Sequence, residues 1–266
     1  AIGTVGLGGC VTLERRQSTV VPGTLERRQS TQRASVSAGT TCQVDNRNGN
    51  VTVRSGDGGE VVVEIEKRTR DGSEYFDNVD VDLVQQDGVL TVETTVDTLP
   101  TGVTVSVNLD LVVPKRTTVG RVATQNGDVT VRSVAGDVRA STNNGDIELD
   151  EVEGIVRSAT SNGSIESEAV AGFAGARTSN GYVDVTVPTL PNDAGVRSTN
   201  GDVTVRVSPN LDAGCRLAAS NGDISVGDVG LTIDRQDDDV IEGQLGKGGP
   251  RLTAETTTEH VELRPL

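Results

Sequence analysis

The sequence predicts an all-β chain wound as a parallel β-solenoid, in coils of about 18 residues with two short strands each. Three observations predict it. First, glycines fall nine residues apart at Gly127, Gly136, Gly145, Gly154, Gly163, Gly172 and Gly181. Second, Asn-Gly pairs recur at 126, 144, 162 and 180, so the full period is eighteen, with two strands and two turns per unit. Glycine supplies the positive φ of a tight turn, and Asn tolerates it better than most residues. Third, side chains alternate between the turns. Val129 and Val131 point one way while Asp128, Thr130 and Arg132 point the other, and Val138/Ala140 and Ile147/Leu149 repeat the pattern. Period two with one apolar face marks a half-buried strand. Consecutive hairpins have no reason to hold an eighteen-residue register, whereas a coil returning to its starting side does.

Residues 1–10 form the first element. They are small and apolar and end Leu7-Gly8-Gly9-Cys10, which resembles the tail of an export signal with a lipobox, Cys10 being the lipidated residue. Ten residues are too few to span a bilayer. A lipoprotein processed there would begin at Cys10, whereas an intact Ala1 would leave the segment free for contacts between molecules. In residues 11–33 the octapeptide Thr-Leu-Glu-Arg-Arg-Gln-Ser-Thr occurs twice, at 12–19 and 24–31. This reads as a polar tether, or as a strand pair that adds to a sheet edge of the same or a neighbouring molecule. Residues 34–266 are the solenoid domain. Asn48-Gly49-Asn50-Val51-Thr52-Val53 is its earliest turn copy. Longer alternating strands at 61–66, 79–84, 89–94 and 103–113 read as wider coils or an antiparallel cap. After the regular run, Asn200-Gly201 and Asn221-Gly222 continue the pattern, with Pro188, Pro191 and Pro209 in the lengthened turns. The strand at 260–263 is expected to close the stack, because an open sheet edge needs a cap. Cys42 and Cys215 each fall at an inward position six residues before an Asn-Gly turn. They are expected to be buried, and several coils apart if the coils stack in order.

Composition agrees. Only 2% of residues are aromatic and none is Trp or Met, too little bulk for a large globular core but enough for a narrow column of Val, Ile and Ala. The net charge is −15, and Lys67, Lys115 and Lys247 are the only lysines. Such an acidic, Lys-poor surface resembles that of salt-loving archaeal proteins and argues against a nucleic-acid partner. The sole histidine, His260, has no Cys or His at metal spacing, and no Gly-x-Ser-x-Gly elbow occurs, so neither an enzyme constellation nor a cofactor is expected. Asp128 and Asp146 hold equivalent places in adjacent coils, as do Asp202 and Asp223. Stacked carboxylates repel, and a bound Ca²⁺ would offset that. The pattern nevertheless departs from the Gly-Gly-x-Gly-x-Asp of calcium-binding repeats. Ile155 and Phe173 are expected side by side on the outside of one sheet, with Tyr182 in the same place on the other, as an apolar patch for a partner. Asn50-Val-Thr52 and Asn162-Gly-Ser164 are glycosylation sequons.

The repeated Asn-Gly-Asp-Val and Asn-Gly-Asp-Ile turns carry a resemblance. With them go Leu111-Val-Val-Pro114, Val122-Ala-Thr-Gln-Asn-Gly127 and the close from Gly246-Lys-Gly-Gly-Pro-Arg-Leu252 to Val261-Glu-Leu263. Over residues 34–266 the chain resembles the prokaryotic domain-of-unknown-function family described as candidate adhesins. The resemblance implies an exported or surface β-solenoid, often lipid-anchored, and supplies no catalytic residues. The expected function is a non-enzymatic, extracellular adhesin-like or scaffolding module, anchored in the membrane through Cys10. Its partners would be other cell-surface proteins, glycans or copies of itself. The alternative is a filament subunit joined through the N-terminal segment or the open solenoid ends.

Overall fold

The structure is a computed structural model and describes residues 14–16 and 24–266. The first strands are β1 (Glu14–Arg16), β2 (Glu26–Ser35), β3 (Thr41–Asp45), β4 (Val51–Gly56) and β5 (Glu60–Thr69). A short 3-10 helix, Ser73–Asn78, leads to β6 (Val79–Gln86), β7 (Val89–Val96) and β8 (Ser106–Pro114). The regular coils follow as β9 (Thr118–Ala123), β10 (Val129–Ala135), β11 (Val138–Ser141), β12 (Ile147–Glu153), β13 (Ile155–Ala159), β14 (Ile165–Glu168), β15 (Gly172–Arg177), β16 (Val183–Val187), β17 (Ala194–Arg197) and β18 (Val203–Val207). The last are β19 (Ala213–Ala219), β20 (Ile224–Val226), β21 (Thr232–Gln236), β22 (Val240–Leu245), β23 (Arg251–Thr256) and β24 (Val261–Pro265).

The fold is the all-β solenoid the glycine beat predicts. Its pairings resolve into two faces. Face one runs β1-β2-β5-β8-β4-β10-β12-β14-β16-β18-β24-β20, and face two runs β6-β7-β3-β9-β11-β13-β15-β17-β23-β19-β22-β21. They meet at one corner, where Ala135 pairs with Thr118. Each regular coil adds one parallel strand to each face, as in Val129↔Ile147 and Val138↔Val156. The longer strands make an antiparallel cap: β2 pairs with β5, β5 with β8, and β6 with β7. The sheet reaches into the duplicated segment, since β2 begins at Glu26 and β1 pairs antiparallel with it.

The coils do not stack in chain order. β3 and β4 lie between the β7/β8 and β9/β10 coils, and β23 and β24 lie between the β17/β18 coil and β19/β20. The strand after His260 is therefore internal and does not close the stack. The physical reason lies in the burial. Val261 and Leu263 are fully buried and need a neighbour on both sides, whereas β21 is exposed throughout and can stand at an edge.

Three side-chain columns lock the turns. The Asn side chains form a ladder in which Nδ2 of each donates to Oδ1 of the next, from Asn126→Asn48 at 2.7 Å through Asn144, Asn162 and Asn180 to Asn200→Asn180 at 2.9 Å. Buried hydroxyls donate to turn carbonyls: Thr142 to Gly127, Thr160 to Gly145 and Thr178 to Gly163. This satisfies polar atoms that would otherwise cost about 1–3 kcal/mol each. The third column is the residue after the turn glycine, described below.

Opposite the Asn-Gly turn the chain bends at a corner where non-glycine residues hold positive φ: Ser133 (+53°), Glu151 (+51°) and Ala169 (+48°). Left-handed backbone costs an L-residue about 1–2 kcal/mol. Ala169 is exposed, so its methyl contributes little packing. Ala169→Gly is expected to raise stability by about 0.5–1 kcal/mol, after allowing for glycine's extra unfolded-state entropy. A urea midpoint equal to or below that of the parent chain would contradict it.

Candidate functional site

Asp128, Asp146, Asp202 and Asp223 stand directly after turn glycines, at the start of face-one strands. Each is part of a ladder that ties neighbouring coils. Asn108 Oδ1 accepts the Asn50 N–H (3.0 Å), Asn50 Oδ1 that of Asp128 (3.0 Å), Asp128 Oδ1 that of Asp146 (3.0 Å), and Asp146 Oδ1 that of Ser164 (2.7 Å). The column continues from Ser164 Oγ to the Tyr182 N–H, from Asp202 Oδ1 to the His260 N–H, and from His260 Nδ1 to the Asp223 N–H. Asp128 and Asp146 are adjacent as expected, but His260 stands between Asp202 and Asp223. A carboxylate at this place is explained by backbone capping, because its oxygen extends the ladder across the turn. Asp202, Glu259 and His260 bring three potential ligand atoms within 4.8 Å of one another, all on exposed side chains. Two carboxylates and an imidazole suit a transition-metal ion better than calcium.

The expected apolar patch does not form. Phe173 is fully buried. It pairs with Val156 and Gly172 with Ile155, and the register then shifts so that Gly175 pairs with Arg157. A one-residue slip moves a side chain to the other face. Turning Phe173 into the core accounts for the slip, and Gly175, at φ +137°, takes up the extra residue. Ile155 is half-buried, with its N–H donating to Asp137 Oδ1 at 2.9 Å. Tyr182 is exposed at the opposite turn, and its hydroxyl donates to Glu166, which pushes the phenol up to about 12. No Ile155–Phe173 pair exists on the surface.

Cys42 and Cys215 are buried and unpaired, and burial raises their thiols to about 12 and about 11. At neutral pH both are protonated core residues. The two sequon asparagines lie within turn columns. The Asn162 amide donates to Asn144 and accepts from Asn180, and the Asn50 amide spans to Asp128. Cys10 lies outside the described residues. No helix among the described residues is long and apolar enough to cross a membrane.

The two faces differ in charge, and residue-by-residue reading of the turns missed this. In the regular coils, face one carries Glu148, Asp150, Glu151, Glu153, Glu166, Glu168 and Asp184 against Arg132 and Arg206. Both arginines are ion-paired there, Arg132 to Glu148 and Arg206 to Glu168 and Asp184. Desolvation raises the Asp184 carboxyl despite Arg206 and Arg264 beside it. Face two carries Arg121, Arg139, Arg157, Arg177 and Arg197 in β9, β11, β13, β15 and β17, and those five strands contain no acid. The signal was in the sequence as Val138-Arg139 and Val156-Arg157, but it needed the pairing across unequal turns to become a row.

The model of the family described as Toastrack DUF4097 matches residues 11–264. None of the curated proteins matches the chain significantly. Among solved structures, a candidate adhesin from Parabacteroides distasonis is similar at 14% identity and a TM-score of 0.43, over 91% of this chain and 97% of that one. A candidate cell adhesion protein from Clostridium sporogenes is similar at 9% identity and a TM-score of 0.40, over 91% of this chain and 100% of that one. A candidate lipid-binding protein from Parabacteroides distasonis is similar at 11% identity and a TM-score of 0.39, over 90% and 95%. At such scores the names of these proteins say nothing of this chain.

Proposed function

The chain belongs to the Toastrack DUF4097 family, and from that premise we propose that it works as an exported, non-enzymatic, adhesin-like or scaffolding module on the extracellular side of the cell surface, tethered through Cys10. The observation that carries this reading is the sorting of charge between the two faces over the regular coils, within a stack whose faces are long. Twelve strands at about 4.8 Å spacing give each face a length of about 50 Å. Such a surface suits extended contact with other surface proteins, glycans or copies of the chain better than enclosure of a reacting group. The acidic, Lys-poor composition fits a salt-rich exterior. The Leu7-Gly8-Gly9-Cys10 sequence supports the anchor.

Surface biotinylation of intact cells, with mass spectrometry of the N-terminal peptide, tests both parts. The expected result is labelled protein carrying a diacylglyceryl group on Cys10. Protein protected until lysis would sink the surface reading, and an unmodified Cys10 would sink the tether. A second reading, a filament subunit, is favoured by the outer edges of β6 and β21, which pair with no further strand among the described residues and hold exposed Val84 and Ile233 at opposite ends of face two. Negative-stain images showing filaments of purified protein would support that reading; monodisperse single particles would reject it.

A further inference from the structure

We propose that a groove on face two, formed around Arg139, Arg157 and Arg177, binds a linear acidic polysaccharide through its carboxylates or sulfates. The proposal rests on the reading of the chain as a surface module and names the ligand of one face.

The groove is open to solvent along one side and offers about 480 Å³, a size within the range of small-ligand sites. Arg139 lies between Arg121 and Arg157 in register, and Arg177 pairs with Ala159 and Arg197. The row is neutralised at its ends only: Asp45 holds Arg121, and Glu255 holds Arg197. Among the described residues, the three arginines between them have no ion-pair or hydrogen-bond partner. Like charges in adjacent strands repel. A chain with 39 acids leaves three arginines uncompensated together, so local stability does not explain them, and a ligand that supplies the missing anions does.

The floor is kept low as well. Its outward positions are Ser141, Ala159, Gly175 and Gly195. A Cβ on Gly175 would stand 3.6 Å from Arg157 Nη1, and one on Gly195 would meet nothing within 4 Å. The Arg157 guanidinium therefore lies across buried Gly175, while Gly195 beside it stays open. Guanidinium forks bind carboxylates and sulfates in a bidentate manner.

The ligand class follows from what repeats and what is missing. Arg139 and Arg157 occupy the same place on neighbouring strands, about 4.8 Å apart, and Arg177 stands two positions along the next strand, opposite Ala159. Cations spread over three successive strands fit a polymer that carries repeated anions. Single-stranded nucleic acid would need aromatic stacking platforms, and no aromatic lines the groove. A membrane would gain only about 1 kcal/mol per basic residue and would find no apolar side chain here to insert.

Titration calorimetry of the full chain tests the proposal, with polygalacturonate and dextran sulfate as probes at about 50 mM salt, where screening is weak. Neutral dextran, polyglutamate and phosphatidylglycerol vesicles serve as comparisons. The two acidic probes separate carboxylate from sulfate recognition. Binding of at least one is expected, with little or none for the comparisons. The triple variant Arg139→Gln, Arg157→Gln, Arg177→Gln should weaken it roughly tenfold or more, about 1.4 kcal/mol, with an unchanged or higher melting temperature. Gly195→Glu, which has room for its side chain and places an acid in the groove, should do the same, while Arg70→Gln, outside it, should not. Folded parent protein that binds neither acidic probe, a triple variant that binds as the parent does, or preference for vesicles or polyglutamate would each overturn it. Biotinylation of cells is independent of this result. Labelled protein that binds no probe sinks the ligand and spares the surface reading, and binding by unlabelled protein does the reverse.

Discussion

Gly145→Ala is expected to destabilise the fold by about 3 kcal/mol or more, from left-handed strain of about 1–2 kcal/mol and overpacking of about 1–3 kcal/mol. Gly145 has φ +146°, where an L-residue is strained. A Cβ there would also collide with the carbonyl of Gly127 in the adjacent coil, and it would stand 2.9 Å from Asp128 Oδ1. The obstacle is backbone, so it cannot swing aside as a side chain would. Relief requires the two coils to part at the turn, which also disturbs the hydrogen bonds from the Asn144 amide to Asn126 Oδ1 and from the Thr142 hydroxyl to the Gly127 carbonyl. Gly195→Ala is the matched control, since its backbone is extended and its Cβ would be free. It should change stability by no more than about 0.5 kcal/mol. Urea unfolding of the two variants decides the matter: a Gly145→Ala midpoint close to that of Gly195→Ala would remove the close-approach argument for the whole glycine column.

That column explains why so much of the fold could be read from sequence. Positive φ and backbone contact between coils both demand glycine, so one geometric need leaves the same letter every eighteen residues. The alternation of Val, Ile and Leu with polar residues is equally local. What could not be read depends on pairing between distant segments. Nothing within 41–56 marks β3 and β4 as lying between two later coils, and nothing within 251–265 marks β23 and β24 as internal. Phe173 was misplaced because counting from Gly172 assumes an unbroken register, whereas burying a phenyl ring outweighs one irregular residue when a glycine follows at 175. The Asp column was visible, but its use was not. A carboxylate that caps a neighbouring N–H and one that waits for a cation look alike until the neighbour is known. The arginine row had the same obstacle, since Arg177 stands opposite Ala159, two positions along from Arg157, and Arg197 follows it after twenty residues.

The inserted C-terminal coil has a large consequence of its own. Ending the chain at Pro250 is expected to abolish cooperative folding of its C-terminal part, although only the last 16 residues are lost. Those residues carry Leu252, Ala254, Val261 and Leu263, all fully buried. Burying a Leu or Val is worth about 1.5–3 kcal/mol, so the loss approaches the total stability of about 5–15 kcal/mol of an ordinary domain. The backbone loses more, because β23 joins β17 to β19 and β24 joins β18 to β20. Without them, two strands on each side face a gap that the outer hairpin of β21 and β22 cannot fill. Removing residues 145–162 takes away slightly more chain and should do much less. It joins Asn144 to Gly163, restores an Asn-Gly turn, and lets β14 follow β10 in the register β12 had, because Ile147 and Ile165 are equivalent. In a stack whose stability is a sum over neighbouring coils, one coil's share is lost and cooperativity is kept. Circular dichroism during urea unfolding separates the cases. If the chain ending at Pro250 unfolds in a single transition near the parent midpoint, the last coil is terminal rather than inserted. If the coil deletion fails to fold while the truncation succeeds, the additive stack itself is wrong.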